Sequence, residues 1–137
     1  MKLIFVYSLL IALFFTGCKK SGGEYPEREL VSVSNAVKTG DWMVIYMENS
    51  VAKDIGTVFL QFDAAGTLVA TKSGLPYNGT WSETNTPGSH TLTLAITTSD
   101  ALLQQVNKQW VVVKTTLQTI DLKDPGANQV TVQLMKH

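Results

Sequence analysis

The chain has few of the residues that build covalent or metal-bound frameworks. Its 137 residues include one cysteine, Cys18, and two histidines, His90 and His137. One cysteine permits no intrachain disulfide, and with two distant histidines it makes no metal cage, so neither a metal nor another cofactor is expected. Charge is scarce as well. Charged residues make up 16% of the chain, eleven basic against eleven acidic, for a net charge of +0. That balance creates no long-range field, which argues against a nucleic-acid partner and against attachment to a membrane by charge. Arg28 is the sole arginine. There is no Gly-rich phosphate loop and no internal repeat, and Asp121 and Asp124 lack calcium-loop spacing. Ser89 and His90 are neighbours in a turn-like stretch and cannot form a nucleophile–base pair. The expectation is a noncatalytic protein.

Hydrophobic residues are plentiful, at 45%. A chain of this composition has enough apolar surface to fold around a core. The first apolar run has another purpose. Lys2 is followed by apolar residues from Leu3 to Phe15, broken only by Ser8, and then by Thr16, Gly17 and Cys18. A positive start, a short apolar stretch and small residues at its end describe a secretory signal, too short to span a bilayer. The ending Phe15-Thr16-Gly17-Cys18 resembles the lipobox of bacterial lipoproteins, with Phe15 where leucine is usual. That resemblance implies a signal peptide over 1–17 and acylation of Cys18 with palmitate-type chains. It places the protein on the bacterial cell envelope, with the bilayer as its partner through Cys18. Lys19, which is not aspartate, points to the outer membrane. Each acyl chain gains about 0.8 kcal/mol per buried CH₂, so two or three hold a protein firmly. Cleavage removes Lys2 and leaves ten basic and eleven acidic residues, a net charge of −1, so lipid rather than charge must do the anchoring. Residues 18–33 are polar and aperiodic and read as a flexible tether.

The domain is expected over 34–137. From Asp41 onward, runs of about six residues rich in Val, Ile, Thr and aromatics alternate with turn residues. The spacing predicts strands near 42–48, 57–63, 67–72, 78–83, 91–98, 109–116, 118–123 and 129–135. Leu92, Leu94 and Ile96 share one face, as do Val58, Leu60 and Phe62, and Val130, Val132 and Leu134. A period of two is the mark of a half-buried antiparallel strand. Gly66 in 63–67, and the Pro-Gly pairs in 85–89 and 124–128, suit tight turns. Ser99-Asp100 can cap a short helix in which Leu102, Leu103 and Val106 share a face, and residues 34–38 can form one helical turn. Asn78-Gly79-Thr80 matches a glycosylation sequon but reads as a turn.

Strands this closely spaced leave no room for crossover helices, so the sheet is antiparallel and mostly up-and-down. Eight such strands close into an all-β barrel with one short helix or pair as a β-sandwich. Closure at eight leaves room for packed side chains or for one small ligand.

Gly40-Asp41-Trp42, directly before the first strand, resembles the Gly-x-Trp signature of lipocalins. Further along, Phe62-Asp63-Ala64-Ala65-Gly66, Gly79-Thr80-Trp81 and Trp110-Val111-Val112-Val113 follow the order seen in short lipocalin-like lipoproteins of Bacteroidetes-type bacteria. The resemblance implies an eight-stranded up-and-down barrel with Trp42 plugging one end. Lipocalins stack a late arginine on that tryptophan; with Arg28 in the tether, either Lys136 substitutes or the contact is missing.

If Trp42 points inward, so do Val44 and Tyr46, and Met43, Ile45 and Met47 face out. The outward row needs a cover: the chain's own helical segments or an envelope protein partner. The inward set reads in two ways. It is an apolar pocket for a small hydrophobic ligand, lined by Tyr46, Phe62, Trp81, Leu94, Val112 and Leu122, with Tyr46 as hydrogen-bonding handle. Alternatively it is a filled core inside an interaction module or inhibitor of the cell envelope. Replacing Cys18→Ser is expected to abolish palmitate labelling and leave uncleaved precursor on immunoblots.

Overall fold

The computed structural model describes residues 31–127 and 129–137. The signal segment 1–17, Cys18 and most of the expected tether lie outside the described residues.

The strands are β1 (Trp42–Glu48), β2 (Val51–Lys53), β3 (Val58–Phe62), β4 (Thr67–Lys72), β5 (Leu75–Thr86), β6 (Ser89–Ile96), β7 (Gln109–Thr115), β8 (Thr119–Lys123) and β9 (Val130–Lys136). Two short helices, α1 (Val33–Ala36) and α2 (Ala101–Val106), accompany them. Every pairing is antiparallel. The strands run in chain order from β3 to β9, and β9 pairs back onto β1 along the whole of both strands, from Trp42↔Lys136 to Glu48↔Val130. On its other edge β1 meets β3 at Trp42↔Leu60 and Met43↔Phe59. This is one closed eight-stranded barrel, not a sandwich.

β2 is the extra strand. It takes the C-terminal part of the β1 edge through Tyr46↔Lys53, Met47↔Ala52 and Glu48↔Val51. The β1–β2 turn is Asn49-Ser50, with φ of 52° and 63°. Positive φ at both central residues is the type I′ geometry of two-residue hairpins. Ser73-Gly74 does the same between β4 and β5, with φ of 52° and 80°, so β5 begins at Leu75, ahead of the expected residue 78. β7 carries a bulge between Val112 and Lys114. The bulge resets the alternation, leaving Val113 57% exposed and burying Thr115.

Turn chemistry matches local sequence elsewhere. Gly66 adopts φ 88° in the β3–β4 hairpin, where Asp63 Oδ1 accepts the Ala65 N–H at 2.6 Å. In the β8–β9 turn, Asp124 Oδ1 accepts from Gly126 N (2.8 Å) and Ala127 N (3.1 Å), so the side chain shapes that turn.

The core is one cluster inside the barrel, with Trp42, Leu60, Leu68, Leu92, Trp110 and Leu134 all at 0% exposure. Burying each such side chain contributes roughly 1.5–3 kcal/mol. Both helices extend this core. Val33, Ala36 and Val37 are buried with it, and Val31 packs against it, so folded structure begins ahead of residue 34. In α2, Leu103 and Val106 are buried, but Leu102 is 37% exposed and does not share their face. The six-residue helix spends its inward face on i and i+3 alone.

Gly79 on β5 is paired with Leu68 and Ile96. A Cβ there would stand 2.4 Å from Ala95 O and 2.9 Å from Ile96 Cα, both backbone atoms. Gly79→Ala is therefore expected to destabilise the barrel by about 3 kcal/mol, the upper end of overpacking costs, seen as a lower urea midpoint.

Candidate functional site: the barrel interior and its two ends

The strand directions define two ends. One gathers the start of β1 with the ends of β3, β5, β7 and β9, and α1 closes it. The other gathers the end of β1 with the start of β7, and α2 lies there, packed on β6.

At the α2 end the sequence places several independent ties. Asp100 caps the helix, its Oδ1 accepting from Leu102 N (2.9 Å) and Leu103 N (3.0 Å), and both of its oxygens accept from Lys72 Nζ at 2.8 Å. Lys72 and these amides hold the Asp100 carboxyl below its usual range. Asn107 acts as a stretch of backbone: Ile96 N donates to its Oδ1 at 2.7 Å, and its Nδ2 donates to Ile96 O at 3.1 Å. Trp110 Nε1 donates to Val106 O at 3.0 Å. Lys108 binds Asp124 Oδ2 at 2.6 Å and lies 5.2 Å from the centre of the Trp110 ring. Lys108, more than the turn amides, keeps Asp124 below the ordinary aspartate range.

At the α1 end one residue gathers the contacts. Glu83 is an inward position of β5, paired with Leu92, and His90 is an inward position of β6. The Glu83 side chain is 6% exposed and that of His90 13%. Val33 N donates to Glu83 Oε1 at 2.7 Å, and Ser34 N to Oε2 at 2.8 Å. The Ser34 hydroxyl donates to Oε2 at 2.5 Å, and His90 Nε2 lies 2.7 Å from Oε1. An ionised carboxylate only accepts, which makes the imidazole the donor. Burial pushes the Glu83 carboxyl up, but the Ser34, His90 and Val33 donors outweigh it and hold the group below its ordinary value of 4.5. The carboxylate stands between hydroxyl and imidazole and accepts from both.

Trp42 is fully buried at this end. Lys136 does not stack on it. Its Nζ donates to Thr39 Oγ1 at 3.1 Å, because β9 pairs Lys136 beside Trp42 with the ammonium directed at the chain entering β1. The lysine over a tryptophan ring is Lys108 over Trp110, at the other end. Among the described residues, Trp42 Nε1 has no hydrogen-bond partner, and neither has the buried Thr115 Oγ1.

The six candidate lining residues fall into two groups. Val112, Leu122 and Tyr46 are buried along one band of wall, linked by Val112↔Leu122, Leu122↔Val132 and Val132↔Tyr46. Burial, and then the Glu48 carboxylate, push the Tyr46 phenol above its usual value, so it stays protonated. Across the barrel, Leu94 is buried and paired with Trp81, while Phe62 and Trp81 are half-buried. Phe62 and Trp81 meet edge to face, with centroids 5.4 Å apart, and Trp81 Nε1 donates to Asp63 O at 2.9 Å. Outside the barrel, a groove of about 340 Å³ is bordered by Asn49, Ser50, Gln129 and Thr131. The outward row Met43, Ile45 and Met47 is half-buried, with Phe59 and Met135 paired beside Met43 and His137 edge to face on Phe59 at 5.0 Å. Among the described residues, no three His, Cys, Asp or Glu side chains gather as a metal would require.

Glu83 and His90 are functional-looking residues that pattern reading passes over. The signal is their parity: Glu83 follows Trp81 by two, and His90 precedes Leu92 by two, so both belong to the inward face.

No protein-family model matches the chain. The curated proteins hold no match either. Among solved structures, a DUF4847 family protein from Bacteroides vulgatus ATCC 8482 is similar with a TM-score of 0.59 at 12% identity, over 77% of this chain and 98% of that one. A likeness at that identity supports the barrel fold.

Glu83→Gln is expected to lower stability near neutral pH by about 1–3 kcal/mol. Because the folded-state carboxyl lies below 4.5, its contribution is present above that value and is lost as pH falls through the folded pKa. Urea midpoints of wild type and variant should therefore converge as pH falls below 4.5 and through the folded-state pKa.

Proposed function

We propose that the protein is a lipid-anchored, lipocalin-like barrel of the bacterial cell envelope, noncatalytic, which holds a small hydrophobic molecule inside the barrel. The observation that carries this reading is a pair of buried polar atoms without a partner among the described residues, Trp42 Nε1 and Thr115 Oγ1, in a largely apolar interior. Leaving such a group unpaired costs about 1–3 kcal/mol, so an occupant with a hydrogen-bond acceptor is favoured over a purely hydrocarbon one. Glu83 at the same end disfavours an anionic group beside Trp42 and favours a carbonyl or hydroxyl. Anchoring rests on the lipobox-like ending at Cys18, some thirteen residues ahead of the first described residue.

A second reading keeps the barrel filled and makes its outer wall an interaction surface for an envelope protein. Val113 and Leu117, at 57% and 60% exposure, and Met135 at 37% favour it. Titration with a fluorescent fatty-acid ester separates the two. The pocket predicts saturable micromolar binding that quenches tryptophan emission and weakens about tenfold in Trp42→Phe, as the loss of one buried hydrogen bond implies. Non-saturable uptake leaves the filled barrel as the reading.

A further inference from the structure

Both ends of the barrel are covered, so anything that enters must displace a cover, and the two covers are fastened differently. α2 is continuous with strands on both sides, and it is tied through Asp100 to Lys72, through Asn107 to the β6 backbone and through Val106 O to Trp110. Among the described residues, α1 is continuous with a strand on one side only. Its polar attachment to the barrel converges on a single side chain: the Val33 and Ser34 amides and the Ser34 hydroxyl all donate to Glu83, which His90 supports from behind. Its apolar attachment among the described residues is small: Val33, Ala36 and Val37 are buried and Val31 packs beside them.

We propose that residues 31–37 form a gate over the Trp42 end of the barrel, with Glu83 as its latch. Among the described contacts, opening needs the loss of hydrogen bonds to one carboxylate and the lifting of four small side chains, Val31, Val33, Ala36 and Val37. The strands stay paired throughout, because α1 takes no place in the ladder. The hinge lies at 38–41, where Gly40 has φ 86° and Lys136 Nζ holds Thr39. Unlatching exposes Trp42 first, and with it the unpartnered Nε1. This inference rests on the reading of the interior as a binding site only for its purpose; the gate itself is a property of the fold.

The test is carried out on the full chain labelled with 5-fluorotryptophan, by amide hydrogen exchange with mass spectrometry and fluorine NMR. In Glu83→Gln, amides of 33–37 are expected to exchange about tenfold faster or more, and the Trp42 resonance to become sensitive to a soluble paramagnetic quencher. Exchange in β3–β9 and in α2 should accelerate no further than the variant's lower urea midpoint requires, and amides of 33–37 should exchange faster than those strands in both proteins. Ser34→Ala, which removes one hydroxyl donor and leaves the carboxylate, should shift the same peptides in the same direction by less. Unchanged exchange at 33–37 in both variants overturns the gate. So does exchange of 33–37 no faster than that of the slowest strand amides, which would make α1 part of the global unfolding unit. The ester probe distinguishes the two readings. Faster association with the Glu83→Gln variant supports a gate on the entry path, and equal rates with saturable binding overturn it as the entry path. If neither protein binds the probe, the pocket reading fails while the exchange result still decides the gate.

Discussion

Closure of β9 onto β1 is the constraint on which everything else in this molecule depends. An open eight-stranded sheet would leave two rows of unpaired amides and carbonyls, with a large apolar face to cover. Pairing along all of Trp42–Glu48 and Val130–Lys136 removes both edges and turns the alternating aliphatics into a common interior. Trp42 is buried because it opens the strand that makes this closure. The two helices then have one task left, the ends of the cylinder, and short helices suffice for it.

Much of this was legible in the amino-acid pattern. Period-two runs such as Leu92-Thr93-Leu94-Ala95-Ile96 state which residues face inward, and the burial of Leu92, Leu94 and Ile96 agrees. Strand lengths and turns excluded crossover connections, which left a barrel or a sandwich. The features that escaped are those where composition does not announce geometry. β2 is three exposed residues after a type I′ turn built from Asn49 and Ser50, without the glycine that usually marks such turns. The bulge in β7 arises inside a valine run that looks uniform. Ser73-Gly74, within what reads as one long loop, starts β5 early.

The candidate site was less legible than the fold, for a physical reason. Hydrophobic alternation identifies positions that water avoids, so charged residues on the inward face are read as surface by type. Glu83 and His90 are tolerated there only because three α1 donors and the imidazole satisfy the carboxylate, and those donors come from about fifty residues away in the chain. Such long-range satisfaction leaves no local trace beyond parity. The expected lysine partner of Trp42 failed likewise: register places Lys136 beside the tryptophan, but its ammonium has a nearer oxygen in Thr39.

The division of the β1 edge has a mechanical corollary. β1 is zipped to β9 along its full length but to β3 only at Trp42 and Met43, because β2 occupies the remainder. The wall therefore has a built-in seam. Under tension or heat the cylinder should part there first, with β1 and β2 peeling away still attached to β9, and the 49–57 stretch beside the seam can grow or shrink in related chains without altering the circumference.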